Sequence, residues 1–163
     1  MAEHTLSPAS FYKGWDNYQQ LLSAALAPLS AEQLNLRAAP SLRSVGNIAT
    51  HIIGARARWL YYVLRESDEN LALFGTWDSS GQPVRSAAEL VNGLTATWQV
   101  LQEALQRWTL ADLEETFHDT DENGEEETFT RQWVIWHLIE HDLHHGGEIS
   151  FSLGMHGIHA IDL

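Results

Sequence analysis

The chain contains no cysteine. That absence excludes disulfides, cysteine-type zinc sites and a thiol nucleophile, so any thiol chemistry here requires a borrowed thiol. Basic side chains are scarce: nine Lys plus Arg stand against 22 Asp plus Glu, a formal net charge of −13. Binding along a phosphate backbone needs a cationic surface, so this composition argues against nucleic acid as a partner. No apolar run approaches the roughly 18 residues of a membrane span. The N-terminal "MAEHTLSPASFYKGW" has neither a basic and then apolar leader nor a lipidation motif. The expected protein is soluble, unprocessed and cytoplasmic, with no membrane partner.

What is present is a foldable composition. The 163 residues are 44% hydrophobic with seven tryptophans, enough for one domain, 1–163, with a substantial core. Ser7 followed by Pro8 reads as a helix start, and Phe11, Trp15, Tyr18, Leu22, Leu26 and Leu29 continue at helical spacing to about Pro28. A second helix begins behind Ser44 and carries Val45, Ile48, Ile52, Trp59, Leu60 and Val63 on one side, with His51 beside that stripe. Residues 67–85, with Gly75, "DSSGQP" and Pro83, read as a long loop. A third helix opens on a Ser86–Glu89 capping box and shows alternating spacings of four and three through Trp108.

Residues 112–127, "DLEETFHDTDENGEEE", hold nine of the 22 acidic side chains. A solvated connection is the expected state, since charge runs usually face water; a short hairpin turning on Asn123-Gly124 is the alternative. The oxygen spacing of a calcium loop is absent. A fourth helix starts near Thr128 or Thr130 and runs to about Gly154. Four amphipathic helices without a convincing sheet predict an all-α four-helix bundle, and the long second loop allows a crossover.

The fourth helix concentrates histidine: "WHLIEHDLHHGGEIS" contains His137, His141, His144 and His145. At about 100° per residue, His141 and His145 lie about 40° apart, on an arc shared with Val134, Leu138, Ile149 and Ser152. The pair therefore points inward, and an i, i+4 histidine pair can place two imidazole nitrogens on one ion. His137 and His144 lie on the shoulder of the same arc, and His137 could replace His145 in the pair. His51 can complete a three-histidine set if the second and fourth helices are neighbours. Three neutral ligands leave a coordination position open for water or a thiolate, the composition of a catalytic site. All-imidazole ligation suits zinc, nickel or copper better than magnesium or calcium. A hydrogen-bonded core histidine pair is the plainer reading of the same spacing.

Glu148 falls within about 20° of His141 on the wheel and could ligate, orient a histidine or act as a general base; a solvated helix-end carboxylate is the alternative. Glu140 and Asp142 project away from the histidine arc and read as surface charges. His4, His118, His156 and His159 fall in expected termini or loops, with no assigned role. Trp136, Ile139 and Leu143 form a second apolar face opposite the histidines, which predicts a symmetric homodimer.

The segments "LSAEQLNLRAAPSLRSVGNIATHI" and "RQWVIWHLIEHDLHHGGEISFSLGMHGI" together resemble the DinB-like (YfiT-like) family of metal-dependent four-helix-bundle enzymes. That family has a histidine early in the second helix and, in the last, a pattern written HxxHHRGQI before a leucine-glycine ending. Here His51 and "HDLHHGGEI" stand in those places, and the resemblance spans nearly the whole chain. It implies His51, His141 and His145 as ligands of a divalent ion, Zn²⁺ or Ni²⁺, in place of His137 and His144. The family includes S-transferases and isomerases that use low-molecular-weight thiols. The expected function is therefore activation of such a thiol, or of water in a hydrolase, for attack on a small-molecule electrophile. The alternative is a non-catalytic dimeric stress-related binding protein with a structural or adventitious metal. Two positions depart from the pattern: Gly146 replaces the usual arginine and Glu148 the usual glutamine.

Overall fold

A computed structural model describes residues 7–67, 69–120 and 123–163; His4, Asp121 and Glu122 lie outside the described residues. The elements in chain order are α1 (Lys13–Leu26), α2 (Ala31–Leu34), α3 (Val45–Arg58), α4 (Glu69–Phe74), α5 (Ala87–Arg107), β1 (Thr116–Thr120), β2 (Glu126–Thr130) and α6 (Arg131–Met155). The four long helices α1, α3, α5 and α6 form the bundle.

The helix starts follow from side-chain caps. Ser44, Ser86 and Thr130 each accept a hydrogen bond from the backbone N–H three residues on, and Glu89 returns the bond at Ser86. The first helix differs from its sequence reading. Pro8–Ser10 make a separate 3₁₀ turn and α1 begins only at Lys13, so Phe11 falls outside the inward stripe and is exposed. Trp15, Tyr18, Leu22 and Leu26 then face inward as expected. A π-helical turn, Trp59–Val63, extends α3.

The core has two ends, and their membership gives the topology. One groups Trp15 with Ala57, Leu60, Trp98, Leu101, Val134 and Leu138; the other groups Leu22, Leu26, Ile48, Ile52, Leu90, Leu94, Ile149 and Leu153. α1 and α6 therefore run from the first end to the second, and α3 and α5 run from the second to the first. Parallel neighbours cannot be joined by a tight turn. Residues 64–86 carry the chain back along the bundle, so the crossover is present. That stretch is not simply a loop: it contains α4, whose six residues are too few for periodicity to reveal.

The acidic connection is also more ordered than a solvated run. β1 and β2 pair antiparallel in the register Thr116↔Thr130, with Gly124 at φ +83° in the turn, the conformation that favours glycine after asparagine. The hairpin leaves Asp119, Glu126 and Glu127 in water and packs Phe117 and Phe129 on the first core end. Alternation of apolar and polar residues on short strands satisfies both demands at once.

Asp142 corrects the sequence reading most sharply. It is fully buried, not a surface charge, whereas Glu140 is exposed as expected. Arg56, also fully buried, donates Nε to Asp142 Oδ1 at 3.0 Å and Nη2 to Oδ2 at 2.7 Å, and Trp15 Nε1 donates to Oδ2 at 2.7 Å. Arg56 Nη1 also donates to Gln19 Oε1 at 2.7 Å and toward Leu94 O at 3.5 Å. One charged node thus touches all four bundle helices. A burial this complete is tolerable because nearly every lone pair and N–H on the two side chains is used.

Candidate metal centre

The antiparallel packing of α3 and α6 brings His51 against His141 and His145. His51 Nε2 and His141 Nε2 stand 3.2 Å apart. A coordinating nitrogen can be chosen from each ring so that all three lie within 4.8 Å of one another. Tetrahedral bonds of about 2.0–2.1 Å place nitrogens about 3.3 Å apart, so the closest pair already has a ligand spacing.

The electrostatics suit a cation. Burial, reinforced by the neighbouring imidazoles of His145, His51 and His137 and by Arg56, pushes His141 from 6.5 down to about 3. Burial also lowers His145, against the opposing pull of Glu148. His141 is thus a neutral imidazole near pH 7, the form a metal needs. Its Nδ1 is buried with no hydrogen-bond partner, while its Nε2 faces another imidazole nitrogen.

The outer nitrogens of the other two histidines are held by carboxylates. Asp78 Oδ2 lies 2.7 Å from His51 Nδ1, and Glu148 Oε2 lies 2.6 Å from His145 Nδ1. With Nδ1–H donating outward, each Nε2 is left as an acceptor for the centre, the tautomer that carboxylate–histidine–metal arrangements use. Glu148 therefore orients His145, and among groupings that could hold an ion it falls with His144 and His145, not with His51 and His141. It is 44% exposed, and its other oxygen lies 3.7 Å from His144 Nε2.

Asp78 was invisible in the sequence because it sits in the turn-rich crossover, 27 residues from its partner. Arg58 holds it with Nη1 to Oδ1 at 2.7 Å and Nη2 to Oδ2 at 3.1 Å. Burial alone raises the Asp78 carboxyl, but the hydrogen bonds from Arg58 and His51 more than reverse this and bring it below the usual range. Gly54 makes room: a Cβ there would sit 2.8 Å from Asp78 Oδ1. The Asp78→Asn variant is expected to bind a divalent ion about 10–100-fold more weakly, as loss of a ligand-orienting carboxylate does, read by competition with a chromophoric chelator. Unchanged affinity would show that Asp78 has no hold on the site.

The remaining histidines separate cleanly. His137 stacks on Trp133, with the rings 4° from parallel, and pairs with Glu140. His144 is 69% exposed, His118 lies on β1 bonded to Thr128, and His156 contacts the Arg37 carbonyl. Gly146, where the resembled pattern has arginine, is explained by Tyr18: a Cβ at 146 would lie 2.0 Å from the phenol oxygen. Burial and the nearby Asp142 push that phenol up to about 12, so it stays protonated.

A pH consequence follows for the metal-free protein. The unfolded chain protonates His141 below about 6.5, whereas the native state resists protonation until about 3. The unfolded state then binds more protons, so stability falls as pH drops through that window. Thermal melts at pH 7 and pH 5 should show a lower midpoint at pH 5, reduced further from pH 7 than in His141→Ala.

The sequence model of a family described as the DinB superfamily matches residues 14–149. Among curated proteins nothing matches the chain. A solved DinB-like protein from Bacillus cereus is 22% identical with a TM-score of 0.71, covering 94% of this chain and 95% of that one. A conserved protein from Enterococcus faecalis is 17% identical with a TM-score of 0.62, covering 87% of this chain and 94% of that one. These structures share the fold. Among the described residues no helix is long and apolar enough to cross a membrane.

Proposed function

The chain belongs to the DinB superfamily, and from that premise we propose a metal-dependent enzyme in which His51, His141 and His145 hold a divalent ion, Zn²⁺ or Ni²⁺. The observation that carries the reading is the convergence of three imidazoles within 4.8 Å, two of them fixed from behind by carboxylates. Such an ion, when bound, favours the thiolate of a bound thiol and lowers the pKa of bound water to about 7. The protein's part is to keep three imidazole donors aimed at one point. Glu148 lies on the wall of a cavity of about 370 Å³ that also touches His145, and in this reading it takes the proton of an incoming thiol or water. The reaction class is transfer of that nucleophile to a small-molecule electrophile.

The test is turnover of a generic electrophile, 1-chloro-2,4-dinitrobenzene, by metal-loaded protein with and without added low-molecular-weight thiol. Thiol-dependent turnover lost on chelation supports the transferase form; thiol-independent hydrolysis supports the water form. No metal-dependent turnover with either contradicts the catalytic reading.

We also propose that the second face of α6 is covered by another copy of this chain. Trp136 is 59% exposed and Leu143 45% exposed, with the partly buried Ile139 between them. Side chains of this size are seldom left together in water. Light scattering should give twice 18.4 kDa for the parent and a monomer for Trp136→Glu. A monomeric parent would contradict the dimer.

A further inference from the structure

Two cavities flank the histidine centre. One, of about 430 Å³, is walled by His51, Trp77, Asp78 and the end of the crossover; the other holds His145 and Glu148. Among the described residues, Arg43 alone lines both. In a chain of net charge −13, small anions are repelled on average, so guanidinium groups left incompletely paired beside the site are informative.

The positive charges here are less fully paired than the other arginines. Arg56, Arg58, Arg107 and Arg131 are each held by a carboxylate. Arg43 is exposed and has no ion-pair or hydrogen-bond partner among the described residues. Arg85, on the wall of the larger cavity, lies over the Trp77 ring at 4.4 Å, and its Nε is buried with no partner. Its contacts to Glu89 and Gln82 are long, at 3.4 and 3.3 Å, and the other oxygen of Glu89 is taken by the Ser86 cap at 2.9 Å. The acidic side chains on the two walls are already committed: Asp78 to Arg58 and His51, and Glu148 to His145. The cavities therefore hold two incompletely used guanidinium groups and no free carboxylate among the described residues.

We infer that the small molecule received at this site carries a carboxylate or phosphate group, which Arg43, with Arg85 on the same cavity wall, holds beside the histidine centre. This deepens the reading above and rests on it for the identity of that centre. A guanidinium offers paired N–H donors to either anion. Arg43 acts as the grip reachable from both sides, and Arg85, pinned on Trp77, as the fixed one.

The experiment is calorimetric titration of succinate, inorganic phosphate and uncharged succinamide into metal-free protein and into zinc-loaded protein freed of excess metal. The parent, Arg43→Ala and Arg43→Lys are compared. At least one anion is expected to bind both forms of the parent, and succinamide neither. Arg43→Ala should weaken anion binding about tenfold or more with an unchanged melting temperature, and Arg43→Lys should retain part of it. The preferred anion identifies carboxylate or phosphate. Absence of anion binding, or binding undiminished in Arg43→Ala, overturns the inference. Anion binding confined to the zinc-loaded form and indifferent to Arg43 overturns it too, while leaving the metal reading in place. Arg43-dependent binding in a protein that takes up no zinc upholds the inference and overturns the metal reading.

Discussion

Replacing His141 by alanine is expected to abolish stoichiometric binding of a divalent ion while leaving the bundle folded. His141 Nε2 faces His51 at 3.2 Å from the neighbouring helix, so its loss leaves only two imidazoles at the centre. Two are too few to compete with water and buffer for the ion, and affinity should drop at least a hundredfold, equivalent to about 2.8 kcal/mol. The metal-free fold should hardly notice. The parent already buries an Nδ1 without a partner, and removing an unsatisfied polar atom offsets part of the packing lost with the ring. Equilibrium dialysis with elemental analysis reads the binding, and a melt of the metal-free proteins reads the fold. A variant as metal-loaded as the parent would mean the ion sits elsewhere.

Asp142→Ala should produce the largest loss of stability of any single change considered. Arg56 would keep its charge in an interior with no water to receive it, and Trp15 Nε1 would lose its acceptor. Breaking a buried pair from one side costs about 3–5 kcal/mol, and in a protein of this size each kcal/mol moves the midpoint by about 2–4 °C. A drop of roughly 10 °C is therefore expected in a thermal melt. The double variant Arg56→Met/Asp142→Leu should recover most of the loss, because it removes the stranded charge as well as the bond. If Asp142→Ala melts with the parent, the pair does not hold the helices as described. The node matters for the site because Asp142 follows His141 directly, so the pair that fixes α6 against α3 also fixes how the histidines meet.

The bundle was legible in the sequence wherever local chemistry determines structure. Ser44, Ser86 and Thr130 announce helix starts because a capping side chain acts within three residues. The long second connection allowed a crossover but left the topology open, because a loop of that length can join parallel or antiparallel helices. The hairpin was readable only as an alternative, since Asn123-Gly124 favours the turn while the surrounding acidic run favours water, and the packing of Phe117 and Phe129 on distant helices decides between them. At the site, helical spacing grouped His141 with His145 but could not separate them from His137, whose ring stacks on Trp133 and pairs with Glu140. Resemblance selected the pair that the geometry brings together. Asp142 was misread for a different reason. A helical wheel gives its angle from the histidines, but not that Arg56, 86 residues earlier, occupies that side. Asp78 likewise acquires its role only when the crossover passes over His51.

The most direct test is elemental analysis of the untagged protein purified without added metal and exchanged into chelator-treated buffer. One divalent ion per chain, retained through the exchange and released by a strong chelator or by acid, is the predicted result. A protein that carries no ion, and binds none tightly when zinc or nickel is returned, would contradict the metal centre.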